Sequence, residues 1–404
     1  MKVARHNAPS RPVLANCTVR LPARFREAGE ESTSAHPSTR TTGDIVVTNT
    51  TLKYRLNFAT PAFLGNAQQQ AQWRSPPIKA LIRQWWRVVK APQVCFNVAE
   101  LRKSEAVLFG TASDDGMEKS HRSQLRLRLS SWDVGKLTSW PSGEPKTNHP
   151  EVKFPVGSDL YLGFGPLVYA KGTGTDLSFN KSGGQKRSAI DDKAQTELRL
   201  VFPEVDAPDL NATLQLAAWF GTLGSRSRNG WGALQISHER LKPLTRVSLD
   251  TIGVTRSLAD CLKEEWPHAI GKDDTGPLVW KTRIIGDWRE VMKELARIKI
   301  AFRTQPTLSF AGVAPGAFAG RHLLAYPVTN HSVNGSEWDG QGRLANQIRF
   351  KLLRENNQLI GVIAHLPCRL PTSMAKQVRA DETYQRGVWQ AVHAVLDNNA
   401  TRLV

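Results

Sequence analysis

The sequence predicts an α+β fold: tandem units built on antiparallel sheets. Helical segments alternate with strand and hairpin patterns through both halves of the chain, instead of gathering in one half. The chain has 404 residues, of which 40% are hydrophobic, enough for two or three domains with proper cores. No internal repeat that would signal a solenoid is visible.

Residues 1–44 mix Pro, Ser, Thr, Arg and Glu without apolar periodicity and read as a disordered N-terminal extension. The first folded unit is expected over 45–240. It opens on IVVTNTTLKYRLNFATPAFLG, a long β-type segment. PPIKALIRQWWRVVKA, from Pro76 to Ala91, begins on tandem prolines, which suit the first turn of a helix. A short helix then leads to LFG, Leu108 to Gly110. HRSQLRLRLSSWDV, from His121, alternates as a strand does. The Pro-, Gly- and Lys-rich stretch 134–157 reads as loop, DLYLGFGPLVYAK (Asp159 to Lys171) as strand, and 171–195 as a mobile basic hairpin or insertion. ELRLVFPE is a strand. LNATLQLAAWFGTL is an apolar helix that runs into GSRSRNGWGALQIS, a loop and then a strand.

Strand, helix, strands, helix, strand is the order of a ferredoxin-like unit, although composition does not fix how the strands pair. The second unit is expected over 241–404. It holds a mixed-charge helix from Asp287 to Arg303, a strand at HLLAYPV and a hairpin turning at Glu355–Gln358. A closing helix follows from Asp381, with an acidic first turn.

Lys and Arg number 54 against 36 Asp and Glu, a formal charge of +18. A balance this basic points to a polyanion, nucleic acid above all. Residues 51–150 hold 15 basic and 7 acidic side chains, so phosphate contacts are expected first in that block. The four cysteines share no metal-ligand spacing and suggest a reducing cytoplasm; no signal peptide or membrane span is read.

On the Pro76 helix, Ile78, Leu81, Ile82, Trp85 and Val89 form an apolar face. Lys79, Arg83 and Arg87 form a second face with cations about 6 Å apart, a spacing that can follow a phosphodiester backbone. No acid lies between Trp73 and Gln93 to neutralise them. Trp86 beside the stripe either stacks a base or belongs to the core. The loop GTLGSRSRNGWG, 221–232, places Arg226 and Arg228 between glycines. Gly224 and Gly230 would shape the backbone while N–H groups and guanidiniums hold phosphate; the bland alternative is a tight turn. The basic residues Lys171, Lys181, Lys186 and Arg187 could contact RNA or a neighbouring subunit, or simply be solvated. No metal motif, cofactor fingerprint or catalytic constellation is found. The adjacent acids Asp114–Asp115 and Asp191–Asp192 read as solvated loop charge.

TPAFLG (60–65), RSPPIKALIRQWWR (74–87), LFGTA (108–112) and GTLGSRSRNGWG (221–232) occur in an order that closely resembles the RAMP superfamily, in particular the first-subunit family of the Cmr, or type III-B, CRISPR effector complex. Arg343 and the hairpin after it resemble the C-terminal strands of that family. The sequence departs at Thr111, where the family has Ser; at Asn229, where it has another Arg; and at GRLANQ, where a Ser-Pro pair is missing. The resemblance implies tandem ferredoxin-like, RNA-recognition-like domains. It implies a non-catalytic subunit that holds the 3′ part of crRNA or the target single-stranded RNA beside other RAMP subunits, with no cofactor and no membrane. The RNA-binding residues expected are Lys79, Arg83, Trp86, Arg87, Gly224, Arg226, Arg228, Gly230 and Arg343. The competing expectation is a crRNA-processing endoribonuclease, for which His121 is the nearest base.

Overall fold

A computed structural model describes residues 48–111, 120–180, 184–340 and 342–404. The expected N-terminal extension, Lys181 and the Asp114–Asp115 pair lie outside the described residues.

The first unit follows the order read from the sequence: β1 (Asn49–Phe58), α1 (Ser75–Lys90), α2 (Val98–Phe109), β2 (Arg126–Leu129), α3 (Ser158–Gly163), the hairpin β3 (Leu167–Ala170) and β4 (Gly174–Leu177), β5 (Gln195–Pro203), α4 (Ala207–Phe220) and β6 (Leu234–Ser237). Four of these strands make an antiparallel sheet in the order β2–β5–β1–β6. Helices α1 and α4 pack together on one face of it. Besides a separate small sheet at 255–277, the second unit has a four-stranded sheet built from β7 (Val279–Gly286), β8 (Ile348–Glu355), β9 (Gln358–His365) and β10 (Thr401–Arg402), with α5 (Trp288–Thr304) and α6 (Glu382–Asn399) between them. Its sheet order, β8–β9–β7–β10, repeats the arrangement of the first, again antiparallel throughout. Both units are therefore ferredoxin-like.

The periodicities explain the packing. In β1, Leu52, Tyr54, Leu56 and Phe58 are buried while Lys53 and Arg55 are exposed, the period of two expected of a half-buried strand. Asp287 and Asp381 cap α5 and α6, their carboxylates accepting first-turn N–H groups. The expected hairpin forms, turning at Asn356–Asn357 with both residues at positive φ, a conformation Asn tolerates. Each of the two large core clusters draws side chains from both units: Leu56 and Trp85 share one with Val362, and Phe63 and Trp231 share the other with Trp280 and Leu295.

Some expectations fail. The strand read over Asp159–Lys171 is a helix for its first half, because Leu162 and Gly163 must pack closely; a Cβ on Gly163 would lie 3.0 Å from the Trp231 indole nitrogen. HLLAYPV forms a short helix, Arg321–Leu324, followed by a cis Tyr326–Pro327 bond. The insert at 171–195 includes the tip of the β3–β4 hairpin. Lys186 pairs with Asp176, and Arg187 donates to Gln69 at 2.7 Å.

The largest correction concerns α1. Its apolar face is buried as expected, but Trp86 is buried as well, 2% exposed and edge-on to Phe109. Trp86 is thus core and cannot stack a base. Lys79 donates to the Phe109 carbonyl at 3.0 Å and to Ser123 Oγ at 2.8 Å, closing the end of α2. Arg83 and Arg87 both grip Glu105 of α2, a carboxylate only 3% exposed. Burial alone would push that carboxyl up, but the two guanidiniums outweigh it and hold Glu105 below its ordinary range. The stripe is not free of acid: the next helix supplies one, and its cations join α1 to α2.

Two predictions follow from this packing. Changing Arg83 and Arg87 together to Ala strands a buried carboxylate. Urea unfolding should show a loss of roughly 1–3 kcal/mol, a buried-pair cost reduced because both arginines are partly exposed. Adding Glu105→Gln should recover much of it. Wild-type stability in the double variant would refute the structural role.

The second concerns His365 and His393, both buried, with Nδ1 of the first 2.9 Å from Nε2 of the second. Burial pushes both imidazoles down, His393 to about 3. The unfolded chain takes up protons near pH 6.5 while the folded pair resists them. Stability is then full above that pH and falls below it, by about 1.4 kcal/mol per pH unit for each histidine. Melting temperature should drop between pH 6.5 and 5, and less steeply in His393→Gln. A flat profile over that interval would contradict the assignment.

Candidate nucleic-acid interface

The glycine loop joins α4 to β6, with both ends fixed. The Leu223 N–H donates to the Gly232 carbonyl at 2.9 Å, the Ser225 N–H to Phe63 at 2.9 Å, and the Thr60 hydroxyl to the Gly230 carbonyl at 2.8 Å. Gly224, at φ +95°, could carry no side chain: a Cβ would sit 2.6 Å from the Phe63 carbonyl oxygen. Gly230, at φ +94°, would meet Met292 of α5. Both glycines therefore serve backbone shape, as expected. Trp231 is wholly buried and anchors the loop.

The apex is different. Arg226 itself takes a positive φ of 56°. The N–H groups of Arg226, Ser227 and Arg228 have no partner among the described residues, so three consecutive donors are left unused. Successive N–H groups around a left-handed residue make a concavity suited to an anion.

The second unit closes against this loop. The Phe350 N–H of β8 donates to the Arg228 carbonyl at 3.0 Å, and Asn229 bridges Phe350 in parallel. Arg228 donates to the Asn346 carbonyl at 3.3 Å. Arg349, beside it, stacks its guanidinium 5.5 Å from the centre of the Trp85 ring. It also donates to the Gln84 side chain in the amide orientation that satisfies both groups. Burial and the Arg228 guanidinium push Arg349 down to about 9.

On the other flank Arg226 donates to the Phe164 carbonyl at 2.6 Å, and Lys299 of α5 donates to Asn229 Oδ1 at 2.8 Å. Asn229 stands where the resembling pattern has an arginine, and Lys299 brings a cation to that point instead. Arg303 lies one turn further along α5, close enough to Tyr161 for its charge to act on that phenol. None of Arg226, Arg228, Lys299, Arg303 and Arg349 forms a salt bridge with a carboxylate among the described residues.

A second basic field lies on the open face of the first sheet. Lys53, Arg199 and Arg128 stand directly opposite one another across three strands, all exposed. Like charges in such a row are unfavourable without an anion above them.

Of the residues expected from sequence, Gly224, Arg226, Arg228 and Gly230 lie together at this seam. Lys79, Arg83 and Arg87 belong to the α1–α2 junction and Trp86 to the core. Arg343 turns back on its own loop, donating to the Gly340 and Gly342 carbonyls. Sequence reasoning missed Lys299, Arg303 and Arg349, because an isolated cation on a mixed-charge helix or strand carries no signal until its neighbours are known. No group of His, Cys, Asp and Glu able to hold a metal occurs among the described residues. No described helix is long and apolar enough to cross a membrane.

Comparison with curated proteins gives no match. Among solved structures, the chain is similar to apo Cmr1 from Pyrococcus furiosus, with 15% identity, TM-score 0.40, 80% of this chain and 90% of that one covered. It is also similar to a chain of the type III-B Cmr-β complex bound to cognate target RNA, with 12% identity, TM-score 0.41, and coverage of 85% and 99%. The family model of the RAMP superfamily matches residues 55–235, from β1 through the glycine loop into β6. That span includes TPAFLG, RSPPIKALIRQWWR, LFGTA and the glycine loop.

Proposed function

We propose that this protein is a non-catalytic RNA-binding subunit of a type III CRISPR ribonucleoprotein, holding the 3′ part of crRNA or the target RNA along the seam between its two units. The RAMP match and the ordered motifs favour the assignment to such a complex. One observation supports the RNA reading: the glycine-loop apex offers three unpartnered N–H groups, and among the described residues none of the five cations on and beside it is salt-bridged to a carboxylate. Backbone donors and guanidiniums free of carboxylate partners suit a phosphate backbone and read no bases, so little sequence preference is expected. Other RAMP subunits are the expected protein neighbours. No observation favours the endoribonuclease alternative. His121 is exposed, and its side chain has no hydrogen-bonding partner among the described residues, so nothing positions it as a base.

The test is single-stranded RNA binding by fluorescence anisotropy across a salt series. Each phosphate neutralised contributes about −0.7 to the slope of log affinity against log salt, so a slope of roughly −2 to −4 is expected. Arg226→Ala/Arg228→Ala should weaken binding to every sequence and make the slope shallower by about 1.4. A flat salt response in the wild type would remove RNA as direct partner. Metal-independent cleavage of repeat RNA in EDTA would overturn the non-catalytic role.

A further inference from the structure

The flank of the loop formed by α5 and α3 has an arrangement the seam does not require. Lys299 and Arg303 are four residues apart and share one face of α5. The Lys299 ammonium touches Asn229 Oδ1 at 2.8 Å and lies 5.7 Å from the centre of the Tyr161 ring. Arg303 lies beside Tyr161, and Arg226, held through Nε by the Phe164 carbonyl, is close enough for its charge to act on Lys299. Arg321 is close by but already satisfied by Glu151, with a contact of 2.9 Å to Oε2. Three cations thus act on one another with none of them salt-bridged among the described residues; the nearest acid, Glu151, acts on Arg303 but is bound by Arg321. Burial, then the Arg303 and Arg226 guanidiniums, push the Lys299 ammonium well below its ordinary value.

Bringing like charges together in a half-buried place is unfavourable unless an anion occupies it. The donors left over also say what kind. Lys299 keeps two of its three N–H bonds, Arg226 keeps its terminal nitrogens, and Arg303 keeps most of its fork. Donors carried by two side chains of α5 and one of the glycine loop suit an oxyanion with several acceptor oxygens, such as phosphate.

We propose that Lys299, Arg303 and Tyr161, together with Arg226 of the neighbouring glycine-loop apex, form a phosphate site on the α5 side of the loop. The chemistry is shared by two sources: a phosphodiester within an RNA strand, or a terminal or free phosphate. For the first source the inference rests on the RNA reading above.

The experiment uses the full chain. Its melting temperature is followed against inorganic phosphate, with chloride at equal ionic strength as reference, in wild type, Lys299→Met and Arg303→Met. Phosphate should stabilise the wild type beyond chloride. In both variants that extra stabilisation should vanish. A merely structural lysine would lower the melting temperature without phosphate, through the lost bond to Asn229, and leave the phosphate response in place. Oligoribonucleotides bearing a 5′-phosphate or a 5′-hydroxyl identify the source. Lys299→Met should weaken both by about three- to ten-fold if the site takes an internal phosphodiester, and only the phosphorylated strand if it takes a terminus. A response to phosphate no larger than to chloride, or one that persists in both variants, would overturn the site. RNA binding unchanged in Lys299→Met but lost in Arg226→Ala/Arg228→Ala would overturn the site and leave the RNA reading standing. A Lys299-dependent phosphate response in a chain that binds no RNA would do the reverse.

Discussion

The contact on which the rest depends is the closure of one sheet's edge by the other unit's loop. Strand β8 ends the second sheet and would expose a row of unpaired backbone groups. The glycine loop covers it through the Phe350 N–H and the Arg228 carbonyl, and Gln235 of β6 continues the cover by donating to the Leu352 carbonyl and accepting from the Arg354 N–H. Lys351 of the same strand is 1% exposed and points its ammonium at the Ala217 and Ala218 carbonyls, the C-terminal end of α4, where a helix dipole favours a cation. Burial pushes that ammonium well down, so the carbonyls are its compensation. These contacts fix the loop, and the loop fixes the guanidiniums. With cores shared between the units, neither half presents the seam without the other.

The charge counted along the chain differs from the charge available to a partner. The densest basic stripe in the sequence is consumed internally: Lys79 closes a helix end and two arginines neutralise Glu105. The cations that no described carboxylate salt-bridges come from sequence positions far apart, the loop at 226–228, α5 at 299–303 and β8 at 349. The row Lys53, Arg199 and Arg128 likewise exists only through strand register.

This divides what the sequence made legible from what it did not. The element order of the first unit, the hairpin turning at Asn356–Asn357 and the Asp-capped helices were readable because local patterns set them: period-two burial, residues that tolerate positive φ, and carboxylates at helix starts. The glycine-loop residues were readable because Gly and Arg in close alternation have few structural uses. Strand order was not readable, since it arises from pairings such as Leu52 with Leu200, nearly 150 residues apart. Trp86 was ambiguous for a related reason: a helix of mixed pattern can bury a second face when another helix, here α2, packs beside it. Arg349 and Lys299 carried no local mark at all.

The central claim is that RNA lies against the seam and not against α1. Ultraviolet crosslinking of the full chain to single-stranded RNA, with the attached peptides identified by mass spectrometry, addresses it most directly. The account predicts crosslinks in 221–232 and 346–350, from both units at once. Crosslinks confined to the Ser75–Lys90 helix, with none at the seam, would contradict it.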